Sequence, residues 1–300
     1  MDVNNAIEKI TVPAPAKINL FLAITGRRSD NFHQIQSVIS KIDLSDYVTL
    51  EKTNILDEVT CVCTGNHSLS GEHNLACTAV RKWRQVTGDR TGVKVKIQKN
   101  IPIMAGLGGG SSDAVSTLLG LNYLNDKCLS DSDLTNIARR IGSDCAFFLT
   151  NGLAHVTGRG EDVHDFENKV NESLSRQRIF IFQPPIGFST SLLYERFSEK
   201  SSYSEVSWAE NRIRNWSKGK ISTIQFLYND FESVILNKYL FLSPLFKVME
   251  NVHGLSFRLS GSGSCCFCFA KNDTDKESVE QLIKESLGNE AGFWETRIYC

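Results

Sequence analysis

Three consecutive glycines, Gly108, Gly109 and Gly110, run into Ser111 and Ser112 and then into an apolar series at helical spacing, Ala114, Val115, Leu118, Leu119 and Leu121. Successive glycines let the backbone take positive φ and approach a ligand more closely than a side chain permits. A helix that starts there turns its unpaired N–H groups and the positive end of its peptide dipole toward whatever lies against the loop, which suits a phosphate. No Gly-Lys-Ser/Thr follows the glycines, and the dinucleotide glycine spacing is absent, so neither common phosphate-binding fingerprint applies. The stretch Ile101–Val115 reads as a triphosphate cradle of another kind.

At 300 residues, 41% apolar and 22% charged, the chain has the composition of a globular protein with ample core. A formal net charge of −1 supplies no overall basic field for nucleic acid or an anionic membrane, so local lysines must handle any anion. The nine cysteines are odd in number and include no pair of CxxC units, which favours reduced thiols over disulfides or zinc. Cys61, Cys63, Cys265, Cys266 and Cys268 read as small core residues, and Cys300 as an exposed thiol. No run approaches the ~20 apolar residues of a membrane helix, and Met1–Val12 lacks an apolar signal core. A cytoplasmic protein is expected.

Periodicity predicts strands over Thr11–Ile24, Gln34–Ile42, Tyr47–Lys52, Val59–Cys63 and Val93–Gln98, with Asp43–Asp46 as a turn between the second and third. Helices are predicted over Asn74–Val86 and Ser132–Ile141, the latter capped by Ser130 or Asp131. A strand over Gly152–Gly158 leads to a polar stretch, Glu161–Arg178, that is the candidate domain boundary. Beyond it come strands at Ile179–Phe182, Phe257–Leu259, Cys265–Ala270 and Phe293–Ile298, partial helix over Ile221–Met249, and a helix over Glu277–Leu287. Tyr203–Lys220 is polar, with Trp208 and Trp216 as possible anchors. Strands precede the first helices rather than alternating with them, which favours α+β.

Phosphoryl transfer needs cationic charge near the γ-phosphate and a group that orients or deprotonates the acceptor. Lys17, inside the apolar strand Pro15–Leu20, shares a face with Asn19 while Ile18 and Leu20 share the other. An unpaired charge there would be costly, so Lys17 should face a partner or a cavity. Asp144, in Gly142-Ser143-Asp144, either caps the following segment or receives the acceptor proton.

Taken together, Pro15–Leu20, Gly106–Ala114 and Ser260–Gly263 resemble the three signature motifs of the GHMP small-molecule kinases. The blocks Pro15–Leu22, Gly26–His33, Leu107–Ser112, Ile141–Asp144 and Pro184–Thr190 are similar to one branch, isoprenoid-pathway kinases whose substrate bears a cytidine diphosphate group. The triple-glycine loop and the histidine after Gly26-Arg27-Arg28 mark that branch.

The resemblance implies a two-lobed α+β fold. Residues 1–172 would form a ribosomal-S5-domain-2-like ATP-binding lobe and 173–300 a ferredoxin-like substrate-binding lobe, with the active site in the cleft. It implies ATP as phosphoryl donor, Mg²⁺, and a 2-hydroxyl as acceptor. Asp144 matches the catalytic base and Lys17 its charge partner. Met104, Ala105, Gly106, Leu107, Gly108, Gly109, Gly110, Ser111, Ser112, Asn74 and Lys99 match ATP-contacting positions, Lys99 being equally readable as an exposed strand-end lysine. Asn19, Phe32, His33, Thr190 and Tyr194 match substrate positions, with His33 reading the cytosine edge and the rings of Phe32 and Tyr194 facing the base. Three features depart from the pattern: Cys145-Ala146 replaces valine-proline, Asn31-Phe32 replaces glycine-tyrosine, and 203–220 carries no familiar motif. The alternatives are a GHMP kinase for homoserine, a mevalonate derivative or a sugar, or a silent nucleotide-binding relative. The sequence assigns neither metal ligands nor an oligomeric state.

Overall fold

The computed structural model describes residues 8–166, 170, 172, 174–200 and 202–299. Cys300, the start of the N-terminal segment and part of the expected boundary stretch lie outside the described residues. The chain forms two compact units that interleave along the sequence. The first takes the residues up to Ala16, Leu44–Ile101 and Gly108–Thr150; the second takes Lys17–Asp43, Pro102–Leu107 and Asn151 onward. Two long strands, β1 (Lys9–Arg27) and β2 (His33–Thr53), contribute to both.

In the first unit β3 (Val59–Thr64) pairs parallel with β4 (Gly92–Gln98), and β4 pairs antiparallel with the Tyr47–Thr53 part of β2. Helix α1 (Leu75–Thr87) starts on Asn74, whose side chain accepts from Ala76 N, and ends on left-handed Gly88. Helix α2 (Gly109–Leu124) is buried on nearly every side. A Cβ on its Gly120 would collide with Leu50 of β2 and crowd Val12 of β1, so glycine here lets the helix lie tightly on the sheet despite its poor helix propensity. Helix α3 (Asp131–Arg139) opens with a reciprocal capping box between Ser130 and Asp133.

In the second unit β5 (Leu153–Thr157) pairs antiparallel with β2, β6 (Asp162–Asp165) with β5, and β8 (Tyr228–Asn229) runs parallel to β1. A separate antiparallel sheet is ordered β11-β7-β10-β9, from β7 (Arg178–Gln183), β9 (Arg258–Leu259), β10 (Cys266–Phe269) and β11 (Gly292–Arg297). The helices of the second unit include α4 (Thr190–Lys200), α5 (Val206–Ser217), α6 (Glu232–Lys238), α7 (Leu242–His253) and α8 (Lys276–Leu287). Phe180, Phe182, Phe257, Leu245, Met249 and Ile283 sit at the centre of its core.

One expectation is corrected. Asp43–Asp46 is not a turn: β2 is continuous through it. Asp46 is buried and tied to the backbone of Asn100 and Ile101, which cancels the cost of a carboxylate within a strand. The polar stretch 203–220 holds α5, anchored as Trp216 stacks on Phe226 (4.3 Å, 5°) and Trp208 packs against Phe21 and Tyr228.

Lys41 of β2 is buried, and burial pulls its ammonium down to about 8, against the opposing pull of Asp165. The unfolded chain, with Lys41 at its ordinary 10.5, therefore binds more protons than the folded one between these values. The stability penalty is complete below about pH 8 and fades as pH rises toward 10.5. Lys41→Met is expected to stabilise the fold by about 1–3 kcal/mol at pH 7, with the gain shrinking by pH 10. Urea midpoints of both proteins at the two pH values check this.

Candidate active site

Lys17 and Asn19 lie on one face of β1, and both side chains are buried in the second unit. Lys17 Nζ donates to Asn19 Oδ1 at 2.6 Å; Asn19 Nδ2 donates to Ser37 Oγ at 2.9 Å, and Ser37 Oγ to Phe21 O at 2.7 Å. The relay sets the amide so that its oxygen faces the ammonium. Two remote segments close around this pair. Lys17 N donates to Leu107 O at 2.9 Å, Ser260 Oγ to Gly106 O at 3.1 Å, and Cys265 N to Ala105 O at 3.1 Å. Gly261 (φ +56°) comes so near that a Cβ on it would stand 3.1 Å from Lys17 Nζ and 3.2 Å from Asn19 Oδ1. Parts of all three signature segments thus meet in one unit.

Asn229 holds the third segment in place. Its Nδ2 donates to Leu259 O (2.9 Å) and Gly261 O (2.8 Å). Next to it, buried Asp230 accepts from Ile24 N (2.6 Å), Tyr228 OH (2.6 Å) and Ser204 Oγ (3.0 Å). Both residues lie outside the signature motifs. Two adjacent polar residues, Asn229-Asp230, between Tyr228 and Phe231 were the available signal.

In the first unit, α2 begins on Gly108 (φ +70°) with no side-chain cap, so no side chain competes for the amides of its first turn. Ser112 Oγ is buried with no hydrogen-bond partner among the described residues. Ser111 hydrogen-bonds the thiol of Cys145, next to half-buried Asp144. Burial pushes the Cys145 thiol up to about 12, with Asp144 adding to the rise and Ser111 opposing it, so the thiol stays neutral. At the Cys145-Ala146 departure the turn closes without proline, as Cys145 N donates to Gly142 O at 3.1 Å.

Lys99 is not an exposed strand-end residue. Its side chain is 10% exposed and its ammonium is held between Asp46 and Asp113. Asn74 caps α1 through Oδ1, while its Nδ2 donates to Leu69 O (3.0 Å) and Cys63 Sγ (3.4 Å). Met104 takes a left-handed φ of +53° and is largely exposed, whereas Ala105 and Leu107 are buried.

The expected base-reading residues gather in the second unit. His33 Nε2 lies 2.7 Å from Ser198 Oγ, and Tyr194 stacks on the His33 ring at 4.6 Å and 21°. Burial and the nearby Arg27 both lower the His33 pKa, keeping the imidazole neutral with one donor and one acceptor nitrogen. Phe32 is 50% exposed, with the Arg159 guanidinium 4.9 Å over its ring. Thr190 Oγ1 is 2.7 Å from Ser262 Oγ.

The chain matches the family models for the GHMP kinases N terminal domain over residues 74–152 and GHMP kinases C terminal over 218–289. The 4-diphosphocytidyl-2-C-methyl-D-erythritol kinase of Prochlorococcus marinus (strain AS9601) is 32% identical over 291 residues, covering 93% of this chain and 90% of that one. The chain belongs to the 4-diphosphocytidyl-2-C-methyl-D-erythritol kinase family of the GHMP kinases. It is an ATP-dependent small-molecule kinase with the α+β GHMP kinase fold. A crystal structure of a 4-(cytidine 5'-diphospho)-2C-methyl-D-erythritol kinase aligns with a TM-score of 0.74 at 27% identity, covering 96% of this chain and 99% of that one. A homoserine kinase from Cytophaga hutchinsonii ATCC 33406 aligns with a TM-score of 0.75 at 16% identity, covering 99% and 97%. That second likeness concerns the fold alone, since one architecture hosts several acceptors. The affiliation with the 4-diphosphocytidyl-2-C-methyl-D-erythritol kinase family rests on the sequence.

Proposed function

We propose that this kinase transfers the γ-phosphoryl group of ATP to the 2-hydroxyl of 4-diphosphocytidyl-2-C-methyl-D-erythritol, with Asp144 as base and Lys17 as its charge partner. The observation that carries the reading is the meeting of Lys17–Asn19, Ala105–Leu107 and Ser260–Gly261, three segments far apart in sequence. The names of the full-length relatives supply the acceptor.

The acceptor oxygen attacks the γ-phosphorus as the bond to the β,γ-bridging oxygen breaks and ADP leaves, while the hydroxyl proton passes to the Asp144 carboxylate. The Lys17 ammonium, oriented by Asn19, balances the growing negative charge. The uncapped start of α2 cradles the phosphates with Gly108–Ser112. Among the described residues no group of three or more His, Cys, Asp or Glu is placed to hold a metal. Magnesium that arrives with a nucleotide needs only one or two protein oxygens, and the unpartnered hydroxyl of Ser112 fits that requirement. Bound there, the ion would neutralise phosphate charge. On the acceptor side His33 reads the cytosine edge, with Phe32, Tyr194, Thr190 and Asn19 around the substrate. Asn74 and Met104 complete the proposed ATP side, and Lys99 serves it from its place between Asp46 and Asp113.

We keep the division at 172/173 as that between ATP-binding and substrate-binding domains; the two family models fall on either side of it. We place the reaction in the cytoplasm. Among the described residues no helix is long and apolar enough to cross a membrane.

Turnover of ATP with the cytidine substrate, homoserine, mevalonate and a sugar as separate acceptors tests the reading; preference for any of the last three would reject it. With the cytidine substrate, His33→Ala is expected to raise KM by about tenfold, the value of one well-placed polar contact, and to leave the KM for ATP unchanged. Equal change in both constants would remove His33 from base reading.

A further inference from the structure

The cluster Asp46–Lys99–Asp113 lies under the start of α2 and has no part in the proton transfer above. Lys99, just past β4, donates to Asp46 and to Asp113 Oδ2, the latter at 2.8 Å. Asp46 belongs to β2 and also accepts the N–H groups of Asn100 and Ile101, at 2.5 and 2.8 Å. Asp113 is in the second turn of α2, and its Oδ1 is buried with no hydrogen-bond partner among the described residues. The ammonium also abuts the first helical residue, for a Cβ on Gly109 would lie 3.3 Å from Lys99 Nζ. One cation thus links two strands to the helix that carries the glycine run.

We propose that Lys99 is a positioning residue for ATP: it acts through α2, by holding the helix start and cancelling carboxylate charge beside it, and does not itself contact the nucleotide. This rests on the start of α2 being the ATP cradle. Were Lys99 to swing toward a nucleotide, Asp113 would lose its cation in a buried site, an outcome much less favourable than keeping the pair. Asp46 would keep its two backbone donors. Were Lys99 removed, two carboxylates would face each other next to a site meant for anions. Burial, with Asp46 adding to it, pushes the Asp113 carboxyl up to about 7 against the pull of Lys99; burial disfavours the Lys99 ammonium, but the two carboxylates outweigh it and raise its pKa. The raised lysine agrees with a bridge held in place, and the raised Asp113 shows how far this buried carboxylate depends on that cation.

The test is a double-mutant cycle read by the Kd of a non-hydrolysable ATP analogue, with the Kd of CDP measured on the same samples. Lys99→Met is expected to weaken the ATP analogue by tenfold or more, and Asp113→Leu by several-fold. The double variant should be no weaker than Lys99→Met alone, because the pair acts as a unit, and CDP affinity should hold throughout. Asp113→Leu leaves Lys99 in place and decides the matter even if Lys99→Met does not fold. ATP affinity unchanged or tightened in Asp113→Leu would make Lys99 a direct ligand and overturn the proposal; so would additive losses, or equal loss of CDP. Wild-type protein that binds the ATP analogue but does not phosphorylate the cytidine substrate would sink the proposed reaction and leave this inference standing.

Discussion

Asp144→Asn is expected to keep the fold and the affinity for ATP while lowering kcat by roughly 10²- to 10⁴-fold, the range for loss of a positioned general base. Asparagine has the size of aspartate but cannot take up the acceptor's proton. The loss should therefore appear in kcat, with KM for both substrates little changed and the thermal midpoint within a degree or two. Undiminished turnover would mean that another group receives the proton. A matching drop in ATP affinity would mean that Asp144 organises the phosphates instead.

Gly106→Ala is expected to strike stability and turnover together. At φ +74° the backbone is in the left-handed region, and an added Cβ would overlap the Ser260 carbonyl oxygen and lie 3.0 Å from Gly263 N and O. Strain and overpacking together should cost about 2–4 kcal/mol. The loop can yield only by giving up the contacts that Ala105, Gly106 and Leu107 make to Cys265, Ser260 and Lys17, so activity should fall even where the chain still folds. Gly65→Ala is the control: φ there is +88°, but nothing lies within 4 Å of the new Cβ. It should incur only the conformational part, about 1 kcal/mol. Urea midpoints and kcat/KM of the two variants separate backbone strain from steric overlap.

What could be read from the sequence depended on whether a signal was local. The start of α1 at Asn74, the cap of α3 to within one residue (Ser130 or Asp131), and the periods of β3 and β4 follow from neighbouring residues and were legible. Asp43–Asp46 has the composition of a turn, yet β2 runs through it because Asp46 meets donors from residues more than fifty positions away. In 203–220 the tryptophans were legible as anchors, but their partners Phe226, Phe21 and Tyr228 were not, because they lie outside the local window or in a remote strand. The site divided in the same way. The motifs named Lys17, Gly106 and Ser260, whereas Asn229 and the Lys99 bridge depend on pairings between distant segments.

The seven buried thiols among the described residues, at Cys61, Cys63, Cys77, Cys145, Cys265, Cys266 and Cys268, have a practical corollary. Burial raises the pKa of Cys265, Cys266 and Cys268, so these sulfurs should ignore an alkylating reagent until the surrounding chain opens. Cys128, on the surface, should react at once. Pulsed alkylation followed by mass spectrometry would then time the opening of each unit separately, through Cys61 and Cys77 in one and Cys266 and Cys268 in the other. The enzyme carries its own reporters of local unfolding, and no label need be engineered into it.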